Sequence, residues 1–123
     1  MLKYKEITGK IIQAAYAVYD YFGFGFLEKV YENALAIELR KMGLKAEQQK
    51  PIRVYYQEHL VGEYSADLLV EDRVLVEVKA VKNLSEVHEV QLVNYLKALR
   101  IEVGLLINFG EKLEYKRKIF DIE

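Results

Sequence analysis

The segment Val74-Leu75-Val76-Glu77-Val78 is apolar at every position but one. A strand with one wet face alternates apolar and polar residues, whereas a run that is apolar on both faces belongs in a central strand covered by helices on both sides. Such a chain must supply apolar helix for two cover layers. The same strand isolates Glu77. An ionised carboxylate buried without a partner is costly enough that it takes up a proton or finds a cation, so Glu77 calls for Lys79, a metal or a wet cleft.

The helices are there. Ile7, Ile11, Ile12, Ala15, Val18, Tyr19 and Phe22 recur at helical spacing until Gly23 and Gly25 break the pattern. Leu27, Val30, Tyr31, Ala34, Leu35, Ile37, Leu39 and Met42 repeat it, with Gly43 placed to end the helix. Ser85 can cap a third helix over about Glu86 to Leu99. After Pro51, β-branched and aromatic residues dominate Ile52 to Tyr56, Val61 to Val70 and Arg73 to Val81, which predicts three strands in a meander with a polar turn at Gln57-Glu58-His59. Val103 to Ile107 and about Tyr115 to Phe120 predict two more.

At 123 residues there is room for one core, so a single domain over 1–123 is expected. The chain has no cysteine, which removes disulfides, thiolate zinc sites and cysteine nucleophiles and leaves only oxygen or imidazole for a metal. No apolar stretch reaches the roughly 20 residues of a membrane span, and no signal peptide opens the chain, so no membrane contact and a cytoplasmic setting are the expectation. Net charge is −1, whereas proteins that grip nucleic acid through phosphates usually carry a basic excess. Local basic clusters exist at Lys45, Lys50 and Arg53, at Lys79 and Lys82, and at Lys97 and Arg100, although such charges ordinarily mark a solvated face.

Whether Asp67 meets Glu77 depends on the turn between their strands. A two-residue turn at Glu71-Asp72 would set Asp67 opposite Val76 and send the two carboxylates to opposite faces. A three-residue turn, Glu71-Asp72-Arg73, pairs Val70 with Val74 and sets Asp67 opposite Glu77, roughly 5 Å apart at Cβ. A β-bulge would have the same effect, so an odd-numbered turn or a bulge is predicted between Asp67 and Glu77, and a regular two-residue hairpin would sink the shared site. Two carboxylates that close repel unless a cation lies between them, and hard oxygen ligands suit Mg²⁺ or Mn²⁺. Lys79 points to the same side as Glu77 and could stabilise charge developing on a phosphoryl group. Taken alone, these three residues describe a simple salt bridge equally well.

Further residues tip this balance. The stretch Gly25-Phe26-Leu27-Glu28-Lys29-Val30-Tyr31 resembles the signature of the GxxExxY protein family. The likeness continues through Glu32-Asn33-Ala34-Leu35, Tyr64-Ser65-Ala66-Asp67-Leu68-Leu69-Val70, Val76-Glu77-Val78-Lys79-Ala80, Val87-His88-Glu89-Val90-Gln91-Leu92 and Leu105-Leu106-Ile107-Asn108-Phe109-Gly110. This resemblance implies the PD-(D/E)XK nuclease superfamily. The implied fold is α/β (α+β), a restriction-endonuclease-like three-layer core with a mixed central sheet and an antiparallel meander flanked by helices. One departure is Ala66, where the superfamily's pattern has Pro, a backbone role and not a chemical one.

By the same resemblance Asp67, Glu77 and the Val78 carbonyl hold Mg²⁺ or Mn²⁺, Lys79 acts as electrophile or water-positioning group, and Glu28 and Gln91 complete the catalytic set. Tyr31, Glu32 and Tyr95 contact substrate or support the site. Without it, Glu28 and Glu32 would be a solvated acidic stripe, and Gln91 and Tyr95 would be helix-boundary residues. His88, in a helix's first turn, stays outside the metal set. The expected function is metal-dependent hydrolysis of phosphodiester bonds in nucleic acid, DNA first. The alternative is a nuclease-fold module that binds nucleic acid or a protein partner without useful turnover. Small size and near-neutral charge also suit a homodimer that builds its groove from two subunits.

Overall fold

The computed structural model describes residues 4–122. Two helices come first, α1 (Lys5–Phe22) and α2 (Glu28–Lys41). In α1 the buried positions are Thr8, Ile11, Ala14, Ala15 and Val18, the stripe that a 3.6-residue repeat lays along one face. It stops where Gly23 turns to φ 66° and its N–H donates to the Tyr19 carbonyl at 2.7 Å. The chain continues as β1 (Ala46–Tyr56), β2 (His59–Val70), β3 (Val74–Lys79), α3 (Glu86–Leu99), β4 (Val103–Phe109) and β5 (Leu113–Ile119).

The strands lie in the order β1-β2-β3-β4-β5, with β3 and β4 parallel and every other pair antiparallel. Parallel neighbours need a crossover connection, and α3 provides it. All of β4 is buried, and in β3 only Lys79 is not. Leu68, Val70, Val74, Val76 and Val78 pack with α1 and α2 on one face, while Leu69, Leu75 and Leu106 pack with Leu92 and Leu96 of α3 on the other. The result is the expected three-layer α+β architecture around a mixed sheet. Among the described residues no helix is long and apolar enough to cross a membrane.

Strand limits differ from expectation at the sheet's rim. β1 begins at Ala46, not Ile52, and runs straight through Pro51, which faces Ser65. Proline is tolerated because β1 is an edge strand, where one backbone edge has no ladder partner. The β1–β2 turn is also tighter, with Gln57 at φ 57° and His59 already paired with Tyr56. β3 stops at Lys79, short of Val81, where an amide replaces the ladder. The fully buried Asn108 donates from Nδ2 to the Val81 carbonyl at 2.8 Å, and its Oδ1 accepts the Val81 N–H at 2.9 Å.

Gly110 lies against that clamp, and a Cβ there would fall 2.6 Å from the Val81 carbonyl oxygen. Gly110→Ala is expected to destabilise the chain by about 1–3 kcal/mol, as overpacking does. Gly9 sits within α1 with nothing within 4 Å of an added Cβ, so Gly9→Ala should stabilise by about 0.5–1 kcal/mol. Urea midpoints of the two variants should move in opposite directions.

Candidate functional site

The β2–β3 connection is the three-residue turn. Val70 pairs with Val74, Leu69 with Leu75 and Leu68 with Val76, so Glu71-Asp72-Arg73 carries the reversal. Glu71 and Asp72 are both left-handed, at φ 54° and 56°. That strained conformation is held by the Arg73 N–H on the Val70 carbonyl at 3.0 Å, the Lys45 N–H on the Glu71 carboxylate at 2.6 Å and the Lys45 ammonium on Asp72 at 3.1 Å.

This register points Asp67 at Glu77, but the ladder ends at Leu68 and Val76. Side chains take over from there. The Asp67 N–H donates to Glu77 Oε2 at 2.7 Å, and the Val78 N–H donates to Asp67 Oδ2 at 2.7 Å. Each carboxylate therefore satisfies a backbone donor of the opposite strand. In an extended residue N–H and C=O leave on the same edge, so the Val78 carbonyl borders this gap as well.

The inside–outside alternation breaks at the same point. Ala66 packs into the α3 core while Leu68 packs into the α1/α2 core. Opposite Asp67, Gln49 sits at φ 54° and drops out of the β1–β2 ladder, between the pairs Gln48–Leu68 and Lys50–Ala66. Asp67 thus occupies a kink shared by two strands, where groups from both helical layers converge.

From α2 comes Glu32, only 3% exposed, which accepts the side-chain amides of Gln48 and Gln49 at 2.8 Å each and the Lys29 ammonium at 3.2 Å. The Gln49 amide also donates to Asp67 Oδ1 at 3.4 Å, and its Oε1 accepts the Ser65 hydroxyl at 2.6 Å. Glu28, one turn earlier, is exposed and acts on Asp67 and Glu77 through its field, raising both carboxyls. Tyr31 is buried, stacked on Phe109 at 4.5 Å between centroids. Its hydroxyl donates to the Gly23 carbonyl at 2.7 Å and accepts the Phe26 N–H at 3.2 Å, which fixes the loop leading to Glu28.

From α3 come Gln91 and Tyr95, joined by a 3.1 Å bond from the Gln91 amide to the phenol oxygen. Burial, then the charge of Glu77, raises the Tyr95 hydroxyl's pKa, with Tyr64 and Asp67 adding to it. His88 belongs to the helix cap, its Nδ1 accepting the Ser85 N–H at 3.2 Å. Lys79 is half-buried, and among the described residues no ion pair joins it to Asp67 or Glu77. A plain salt bridge is not what these residues form.

Gln48 and Gln49 were not legible as site residues. Their approach follows from β1 beginning before Pro51, and the local pattern carries no sign of that.

Burial first, then the charge of Asp67, pushes Glu77 up to about 8, against the opposing pull of the Asp67 N–H and Lys79. Burial also raises Asp67; the Val78 N–H and Gln49 oppose it, and Glu32 and Glu28 add to it. With Glu77 pushed up to about 8 and Asp67 raised beside it, the two adjacent acids form a site short of positive charge. Their all-oxygen donors suit a hard divalent cation. Among the described residues no group of three or more His, Asp or Glu side chains forms a metal cage, so main-chain, water and substrate oxygens would have to complete the shell.

A carboxyl whose folded pKa is raised binds its proton more tightly in the folded state. Its contribution to stability is complete below about 4.5 and is lost as pH rises to about 8. Glu77→Gln keeps the neutral shape without the charge. Without added metal, its thermal midpoint should exceed the wild type's above pH about 8, and its decline between those limits should be shallower. A midpoint at high pH no higher than wild type would remove this buried-charge account.

No curated protein matches the chain. Among solved structures, that of SSO0001 superposes with a TM-score of 0.58 at 16% identity, covering 98% of this chain and 59% of that one. An alkaline exonuclease, LHK-Exo from Laribacter hongkongensis, superposes with a TM-score of 0.56 at 12% identity, covering 98% of this chain and 73% of its own. At such identities the likeness is one of fold. The model of the PD-(D/E)XK nuclease superfamily matches residues 5–118, nearly the whole chain, and the chain belongs to that superfamily.

Proposed function

We propose that this chain, as one nuclease-like domain over 1–123, hydrolyses phosphodiester bonds in nucleic acid with the help of Mg²⁺ or Mn²⁺. The observation that carries the proposal is the interlocked pair Asp67 and Glu77, each bonded to the other strand's N–H, with Lys79 nearby and paired with neither. Asp67, Glu77 and the Val78 carbonyl would hold the ion. When bound it would supply an activated water and neutralise charge on the phosphoryl group.

The chain's own groups do the rest. Lys79, two residues along β3 from Glu77, orients the attacking water or stabilises the pentavalent oxyanion. Glu28 adds its negative field on the α2 side. Gln91, braced by Tyr95, orients water or the Lys79 amine on the α3 side, and Tyr95 contacts a backbone phosphate. Glu32 supports Asp67 through Gln49, and Tyr31 supports Glu28 through the loop. Family membership and the fold likeness to an exonuclease favour nucleic acid as substrate, with DNA the first to test. The net charge of −1 favours a second reading, a module that binds nucleic acid or a protein without turnover, or a homodimer that shares one groove between subunits.

Cleavage of branched, single-stranded and duplex DNA and of RNA, measured with Mg²⁺ or Mn²⁺, separates these. Wild type should cut at least one substrate, Lys79→Ala should lower kcat by about 10²–10³-fold, and Asp67→Ala should abolish cleavage. Asp67→Asn, which retains an acceptor for the Val78 N–H, guards against a mere folding defect. Activity surviving Asp67→Ala would assign cleavage to a contaminant or another site. In calorimetry, Mn²⁺ binding should be lost in Glu77→Ala and kept in His88→Ala.

A further inference from the structure

Beside the candidate site, an open cleft of about 820 Å³ lies between the β1–β2 hairpin and α3. Its volume falls within the roughly 300–1,000 Å³ typical of small-ligand sites. Its lining includes the Gln91–Tyr95 pair, Arg53, Tyr55, Tyr64 and Lys97, together with apolar residues such as Val87 and Val90. Tyr64 and Tyr95 stand 6.0 Å apart between ring centroids, inclined by 35°. Tyr55 and Tyr64 are 57% and 55% exposed, so ring surface in the cleft is open to a ligand.

Charge in the cleft departs from that of the chain. The protein carries 19 acidic and 18 basic residues, yet this lining includes two cations and no carboxylate. Arg53 is held only loosely, 3.7 Å from Glu63 with a 61% exposed side chain, and among the described residues Lys97 has no ion pair. Flat rings and cations lining one cleft match a ligand that alternates flat apolar groups with anions.

We infer that this cleft binds unpaired nucleotides of a single nucleic-acid strand, with bases on Tyr55 and Tyr64 and phosphates at Arg53 and Lys97, leading the strand past Tyr95 towards Asp67 and Glu77. This deepens the nuclease proposal, and rests on it, by naming the strand class. A duplex does not fit the same chemistry, because its base faces are stacked within the helix and leave the tyrosines nothing to cover. An acidic peptide would satisfy the cations but leave the exposed rings without flat partners.

The test is fluorescence anisotropy on the full chain in EDTA, so that binding is read without cleavage. The probes are labelled oligothymidylate, an abasic strand of the same length, a duplex and an acidic peptide. Oligothymidylate should bind at least about tenfold more tightly than the abasic strand or the duplex. Tyr64→Ala should weaken it by about 5- to 150-fold, and Tyr64→Phe, which keeps the ring, should restore it. Lys97→Ala should reduce the slope of log affinity against log salt by about 0.7.

Equal affinity of the wild type for thymidylate and abasic strands overturns the inference without any variant, and so does preference for the duplex or for the peptide. A protein that discriminates bases in EDTA yet cleaves nothing with Mn²⁺ refutes the nuclease proposal alone. One that cleaves but ignores bases refutes only this inference.

Discussion

The parallel pair β3–β4, covered on both faces, is the constraint from which the rest of the structure follows. Parallel strands cannot be joined by a tight turn, so α3 must cross over, and in doing so it covers the face that α1 and α2 leave bare. Every side chain in the pair must then be apolar or fully satisfied. Glu77 and Asn108 are the polar exceptions among the buried residues of these strands, and both spend their polarity on main-chain groups at the strand ends. Polar side chains stand where the ladder gives out.

That placement reconciles a continuous sheet with an opening in it. Below Leu68–Val76 the strands are zipped by ordinary rungs, and above it the two carboxylates bridge the widening gap. A left-handed residue opposite, Gln49, removes a rung from the neighbouring ladder as well. The opening is therefore bordered by α2 through Glu32 and by α3 through Tyr95, which is why residues far apart in sequence and on opposite faces of the sheet influence one pair of acids.

Much of this was legible in the sequence because it follows from period and parity. The three helices announced themselves by spacing and by Gly23, Gly43 and Ser85 at their ends. The apolar run around Glu77 required two cover layers, and the turn length settled which residues would face each other. What was hidden involved contacts made by an edge. Pro51 masked the first half of β1, since only an edge strand admits it, and with that half went Gln48 and Gln49. Glu28 and Glu32 sit four apart on one helical face, so no local rule could say that Glu32 would be buried under two glutamine amides while Glu28 stayed in water. The chemical meaning of the acids came from resemblance and from the family match, because the three residues alone fitted a salt bridge as well.

The interlock of Asp67 and Glu77 has a consequence for how such chains change over evolutionary time. Each acid is the hydrogen-bond partner of a backbone N–H that has no other strand to pair with, and leaving such a donor bare costs about 1–3 kcal/mol. With or without turnover, a lineage would be under selection to keep an acceptor at both positions, the acid or its amide, simply to close the sheet. Lys79, whose ammonium joins neither strand, is under no such folding constraint, so of the three residues it is the one whose persistence in a relative folding alone would not explain.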